Sequence, residues 1–259
     1  MNKKTNKSQP LLSIVTVNRN NGDGLRRTMQ SVFDLTFTDY EYIIIDGASA
    51  DNSVDVIKEF LAKPKCAKKI TYWHSQPDKG IYNAMNKGLE HVNGKLVIMM
   101  NSGDRFIPDS LEKLAEWEAK NPGSILYGAI SKYDKNGQFI GSEGQPAVKI
   151  DTTPLCHQAT FIPMELHKKY GGYDEQYRIY ADFEIWNRFK KNNVNFIWIN
   201  RIICDFEGGG LSSIVNKARW QEKDKIMEKY GILDKHPIKE FVKNFVPYGV
   251  LKLAKSSFH

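Results

Sequence analysis

The sequence predicts an α/β domain with a mainly parallel central sheet covered by helices on both faces, an αβα sandwich. Three observations predict it. Short apolar, β-branched runs recur through the first hundred residues, and segments with helical spacing separate them. These runs are apolar nearly throughout rather than alternating, as expected of strands buried on both faces. From residue 105 onward the runs become more mixed, which predicts a second, mixed half of the same domain.

Leu11 to Val17 (LLSIVTV) reads as the first strand. Asn20 to Gly24 reads as a loop, after which Leu25, Met29, Val32 and Phe33 space a helix over 25–33. Tyr42 to Ile45 is a second strand, broken at Asp46-Gly47. Val54, Ile57 and Leu61 share one face of a helix over 53–61, with Ser49 and Asp51 as its cap candidates. A strand over 70–74, a helix over 80–91 and a strand over 95–100 complete the first half. Pro108 to Lys120 reads as a helix, and strands follow at 124–130, 138–141, 158–162 and 195–204. Helices are expected at 165–170, 182–191 and 216–230. Residues 1–10 read as a disordered polar tail, and 231–259 as a basic amphipathic one.

The chain has 259 residues, 41% hydrophobic and 26% charged, which suits a globular domain with a sizeable core. Leu96 to Met100 is a five-residue apolar run, far below the roughly 18 residues that cross a membrane. The first ten residues carry Lys3, Lys4 and Lys7 without an apolar stretch, so a cytoplasmic location is expected rather than export. Cys66, Cys156 and Cys204 are dispersed and odd in number, which predicts buried packing in a reducing compartment. The net charge of +7 sits at the ends: residues 217–259 hold ten Lys/Arg against five Asp/Glu, while the body is nearly neutral. That distribution argues against nucleic acid as a partner. Two readings stand for the basic carboxyl-terminal segment: attraction to an anionic membrane surface, or a solvated helix with no partner.

The chemistry-bearing residues follow the strands, where open α/β sheets bind ligands. Asp46 to Ser53 (DGASADNS) follows the second strand; a carboxylate there can accept from a nucleobase N–H or a ribose hydroxyl, or serve as an ordinary turn and cap. Asp78 to Gly88 (DKGIYNAMNKG) places Gly80 at a helix start whose free N–H groups can receive a polar partner. Asn101-Ser102-Gly103-Asp104 ends a strand with one amide and one carboxylate. His157-Gln158 precedes a strand. Gly171 to Glu175 (GGYDE) leads to Asp182, a carboxylate at a helix start that can cap the helix or take a proton. Gly208-Gly209-Gly210 suits a closing lid or a plain connector.

In this order, over about residues 11–230, these motifs resemble those of bacterial family 2 glycosyltransferases of surface-polysaccharide type. The resemblance implies a single glycosyltransferase A-type domain, with a nucleotide-binding half over 11–104 and an acceptor-binding half over 105–230. It implies donor contacts from Thr16, Asn18, Asp46, Asp51, Asp78, Gly80 and Asn101, with Asp46 on the base and Asp51 bracing the loop. Asp182 would be the general base of an inverting transfer from a nucleotide-diphosphate donor, a UDP-sugar. Asp104 would hold a divalent metal, Mn2+ or Mg2+, although NSGD departs from the family's usual Asp-Ser-Asp-Asp. His157, Gln158, Glu184, Gly209, Arg219 and Trp220 are the further candidates for acceptor or diphosphate contacts. The implied acceptor is a saccharide or lipid-linked oligosaccharide on the inner face of the membrane. Against a dinucleotide oxidoreductase, Gly22-Asp23-Gly24 comes too late and lacks the third glycine. A nucleotidyltransferase and a non-catalytic sugar-nucleotide sensor stay as alternatives at this point.

Overall fold

The structure, a computed structural model, describes residues 9–134, 136–144, 146, 155–208 and 217–232. The chain runs β1 (Leu12–Asn18), α1 (Gly22–Phe33), β2 (Tyr40–Asp46), α2 (Ser53–Leu61), α3 (Pro64–Ala67), β3 (Ile70–Ser75), α4 (Ile81–Leu89) and β4 (Leu96–Met99). It continues through β5 (Arg105–Phe106), α5 (Leu114–Lys120), β6 (Ile125–Tyr133), β7 (Phe139–Glu143), a 3-10 turn at His157–Ala159 and β8 (Thr160–Pro163). The last elements are α6 (Met164–Tyr170), α7 (Ala181–Lys191), β9 (Phe196–Glu207) and α8 (Lys217–Lys229).

Nine strands form one sheet in the order β3-β2-β1-β4-β8-β6-β9-β5, with β7 beside β6. The first four are mutually parallel. The parallel reading therefore holds for the amino-terminal half, and the mixed reading for the rest: β8 runs antiparallel to both β4 and β6, whereas β6 and β9 are parallel. The seam between the halves is short, pairing Leu96 with Pro163 and Val97 with Ile162.

Side-chain alternation explains the two cores. Leu12 and Ile14 of β1, with Tyr42 and Ile44 of β2, pack on Leu25, Met29 and Val32 of α1 and Ile57 and Phe60 of α2. The intervening Val15, Val17, Ile43 and Ile45 face Tyr82, Met85 and Leu89 of α4, in a cluster that continues to Ile185 and Trp186 of α7. Both faces are covered, which is why these strands carry no polar alternation. At Gly88 a side chain would meet Val15 Cγ1 at 2.4 Å, so α4 lies directly on β1.

Several boundaries differ from the sequence reading. α1 starts at Gly22 rather than Leu25, because the Asn21 side chain caps it by accepting from Gly24 N (3.2 Å). The helix expected from Pro108 begins only at Leu114; residues 108–113 form turns closed by Ser110 N to Ile107 O and Leu114 N to Leu111 O bonds. Gln158 lies in the 3-10 turn rather than in a strand. β5 escaped the sequence reading because two residues carry no period.

Candidate active site

Parallel register brings three strand ends together. Asn18 of β1 lies opposite Asp46 of β2, and Asp46 lies opposite Ser75 of β3. Asp46 is fully buried, and its carboxylate accepts from Asn18 Nδ2 (2.7 Å), Ser49 N (2.9 Å), Ser49 Oγ and Ser75 Oγ (2.6 Å). Burial pushes this carboxyl up, but the bonds from Ser49, Ser75 and Asn18 outweigh it and hold the group below the usual carboxylate range. Asn18 Oδ1 is left without a partner in this buried corner. Asp78 closes the group: Gly80 N donates to its Oδ1 (2.9 Å), and Arg19 lies 3.9 Å away. A side chain at Gly47 would meet Asp78 Oδ2 at 2.2 Å, so glycine there lets Asp78 lie beside the end of β2. Gly80 itself, at φ 129, turns the chain into α4 and faces open space.

Thr16, expected on the donor, is engaged inside the fold, while Asp51 joins two helix starts. Thr16 is buried and accepts from the Tyr42 hydroxyl (2.9 Å), because even positions of β1 face the α1 and α2 layer. Asp51 accepts from Gly22 N (2.8 Å) and Ser53 N (3.0 Å), joining the start of α1 to the start of α2. Its role in the geometry is that of a brace.

At the seam, β4 and β8 run in opposite directions, so the residues just past β4 meet those just before β8. Asn101 Nδ2 lies within hydrogen-bond distance of His157 Nε2 (3.0 Å). His157 Nδ1 makes no hydrogen bond; Asp182 Oδ2 stands 3.5 Å from it. Asp182 lies in the first turn of α7, with Oδ1 accepting from Phe183 N (2.7 Å) and from the Tyr82 hydroxyl (3.4 Å). Its Oδ2 faces His157, and the side chain keeps 17% exposure. Asp182 and the β4 end are thus joined through His157, and Asp182 and the Asp78–α4 segment through Tyr82. Burial, followed by the negative charge of Asp182, raises the Tyr82 hydroxyl well above its ordinary value.

Asp104 does not present a metal ligand. Its Oδ2 accepts from Gln158 Nε2 (2.8 Å) and its Oδ1 from Glu207 N (3.0 Å), while its carbonyl accepts from Thr28 Oγ1 (2.7 Å). Burial pushes this carboxyl up to about 7 against the lowering effect of those bonds and of His157. Asn101 meets His157 through Nδ2 and leaves its Oδ1 buried without a hydrogen bond, and Gly103 has no side chain. Among the described residues no three His, Cys, Asp or Glu side chains converge as a metal centre. Both Asp104 oxygens are thus taken up inside the fold, and in place of the expected metal ligand Asp104 forms a structural tie between the end of β4, Gln158 and β9.

Glu184 is also corrected. It is fully buried and faces away from the cleft, paired with Arg188 and accepting from Lys229 Nζ (2.8 Å) and the Tyr230 hydroxyl (2.6 Å). Gln158 is 3% exposed and spent on Asp104, so it too holds structure rather than ligand. Arg219 donates to the Tyr180 hydroxyl (2.8 Å) and stacks over its ring, and Trp220 is 36% exposed on α8. Gly209 lies outside the described residues. Sequence reasoning missed Ser75, Tyr82 and Glu222. Ser75 was detectable as the last residue of β3, in register with Asp46; Glu222 had no signal, being one charge among many on a polar helix.

An open sheet of this order, with carboxylates at the parallel strand ends and another at a helix start across the cleft, has the glycosyltransferase A-type fold. Residues 13–166 match the model of Glycosyl transferase family 2. The chain is 33% identical over 214 residues to the uncharacterized glycosyltransferase Rv1514c of Mycobacterium tuberculosis, covering 80% of this chain and 78% of that one. It is 24% identical over 227 residues to a PGL/p-HBAD biosynthesis glycosyltransferase of Mycobacterium bovis, covering 86% and 87%. The fold matches S. aureus TarS 1-349 in complex with UDP-GlcNAc at a TM-score of 0.68 and 14% identity, over 92% of this chain and 76% of that one. The chain covers 46% of the longer TarS structure. The chain belongs to glycosyl transferase family 2, and it is a glycosyltransferase enzyme.

Proposed function

We propose that this chain transfers a sugar, with inversion, from a UDP-sugar to a hydroxyl of a growing polysaccharide or lipid-linked oligosaccharide. The observation that carries this reading is the position of Asp182: one carboxylate oxygen held by Phe183 N and Tyr82, the other open toward His157 and Asn101 at the end of β4. A hydroxyl is a poor nucleophile until its proton is taken during attack. Asp182 Oδ2 takes that proton, the oxygen bonds to the anomeric carbon, and the bond from that carbon to the diphosphate breaks with its electron pair. In this reading Asp46 and Asp78 hold the nucleoside, and His157, in contact with Asn101, lies beside the base. A UDP donor is supported by the TarS complex with UDP-GlcNAc, and a lipid-linked acceptor by the M. bovis relative's place in PGL/p-HBAD biosynthesis. No described helix is long and apolar enough to cross a membrane. We assign the enzyme to the cytoplasmic membrane surface, reached through the basic segment 231–259, of which 233–259 lie outside the described residues.

The test is Asp182→Asn, assayed for UDP release with a panel of UDP-sugars and an oligosaccharide acceptor. Turnover is expected to fall by about a hundredfold or more, with UDP affinity unchanged. Retained turnover in the Asn variant would remove Asp182 as the base.

A further inference from the structure

We propose that α8 is a clasp that sets the position of Asp182, with Glu222 as its positioning residue. The inference rests on the reading of Asp182 as the base, and it concerns residues that lie outside the span matched to the family, 13–166.

The segment before α7 has no regular structure of its own to hold it. Residues 178–180 lead directly into Ala181 and Asp182, and their N–H groups need acceptors. Glu222 supplies all of them. Its Oε1 accepts from Arg178 N (2.8 Å), and its Oε2 accepts from Ile179 N (2.9 Å) and Tyr180 N (3.2 Å). One carboxylate on three consecutive N–H groups is a charge-assisted contact, stronger than its neutral equivalents. On the other side, Ile179 O accepts from the Tyr82 hydroxyl (2.8 Å), the same hydroxyl that reaches Asp182 Oδ1. The Ile179 backbone is thus held by α8 through its N–H and by α4 through its carbonyl, three residues ahead of the base.

The far end of α8 is fastened to the same helix. Lys229 and Tyr230 converge on buried Glu184, one turn into α7, and Lys229 also lies 3.7 Å from Asp174. Ile226, fully buried, joins the apolar cluster that contains Ile185 and Trp186. Arg219, one turn ahead of Glu222, bonds and stacks on Tyr180. Attachments before and after Asp182 fix both the position and the rotation of the α7 start. Catalytic geometry is sensitive on this scale, since a displacement of about 1 Å can cost on the order of a hundredfold in rate.

The experiment compares Glu222→Ala and Glu222→Gln with wild type and Asp182→Asn. Each protein is measured for kcat, donor KM, UDP affinity and thermal midpoint. Glu222→Ala is expected to lose kcat by about tenfold to a hundredfold, with UDP affinity unchanged, because Asp46 and Asp78 are held by other elements. Glu222→Gln keeps one acceptor oxygen but turns an NH2 toward the remaining backbone N–H, so it is expected to recover only part of that loss. A Glu222→Ala enzyme with wild-type kcat would overturn the clasp. So would parallel losses of kcat and UDP affinity, which mark general unfolding. If instead Asp182→Asn retains turnover, the assignment of the base fails, a result distinguishable from a silent Glu222.

Discussion

Asp104 and Asp182 are two aspartates at the same end of the sheet whose surroundings give them opposite work. Asp182 keeps an oxygen in the cleft, whereas both oxygens of Asp104 are spent inside the fold. Burial makes the charged form of Asp104 costly. Its folded pKa of about 7 lies above the group's ordinary value of 3.8, so its contribution to stability is fully present below that lower value and is lost as pH rises through about 7. Asp104→Asn should therefore be less sensitive than wild type to raising pH from 5 to 8, measured as the difference in thermal midpoint between the two proteins at each pH. Equal pH dependence in the two proteins would contradict the assignment. At this scale the sequence was readable where a carboxylate follows a strand, as with Asp46 and Asp78. It was misleading where pairing partners come from distant segments: nothing in the NSGD string reveals that Gln158 and the Glu207 amide occupy Asp104.

At the level of elements, period and apolarity located eight of the nine strands and most helices, because strands buried on both faces leave an unbroken apolar signature. What stayed hidden was set by pairing rather than by local preference. β5 exists because Arg105 and Phe106 meet Asp205 and Cys204, and β9 extends to Glu207 because β6 continues beside it to Tyr133. The register between β6 and β9 shifts on either side of Ala129, and at adjacent Gly128 a side chain would meet the Arg201 carbonyl oxygen at 2.4 Å. A backbone atom cannot swing aside as a flexible side chain can. Gly128→Ala should cost about 1–3 kcal/mol, read as a lower urea midpoint at unchanged m-value. A midpoint equal to wild type would mean that the strands yield without strain.

Across the whole molecule, charge is the feature that sequence alone describes and the fold does not explain. The nearly neutral body contrasts with a carboxyl-terminal segment rich in lysine, with Ile238, Phe241, Val242 and Phe245 interspersed. If that segment carries the enzyme to an anionic bilayer, removing residues 231–259 should abolish co-sedimentation with phosphatidylglycerol-containing liposomes while UDP release persists. Binding of the full chain should weaken with added salt, as screening requires. Undiminished co-sedimentation of the shortened chain would assign attachment to another surface.

The two-pair seam between β4 and β8 has a wider consequence. Since neighbouring side chains on a strand alternate in direction, a one-residue slip there would exchange Phe161 and Ile162 between the two cores. The turn ahead of β8 would shift with it, parting His157 from Asn101. Four residues of hydrogen-bonded ladder thus help to keep alignment between segments more than fifty positions apart in the chain.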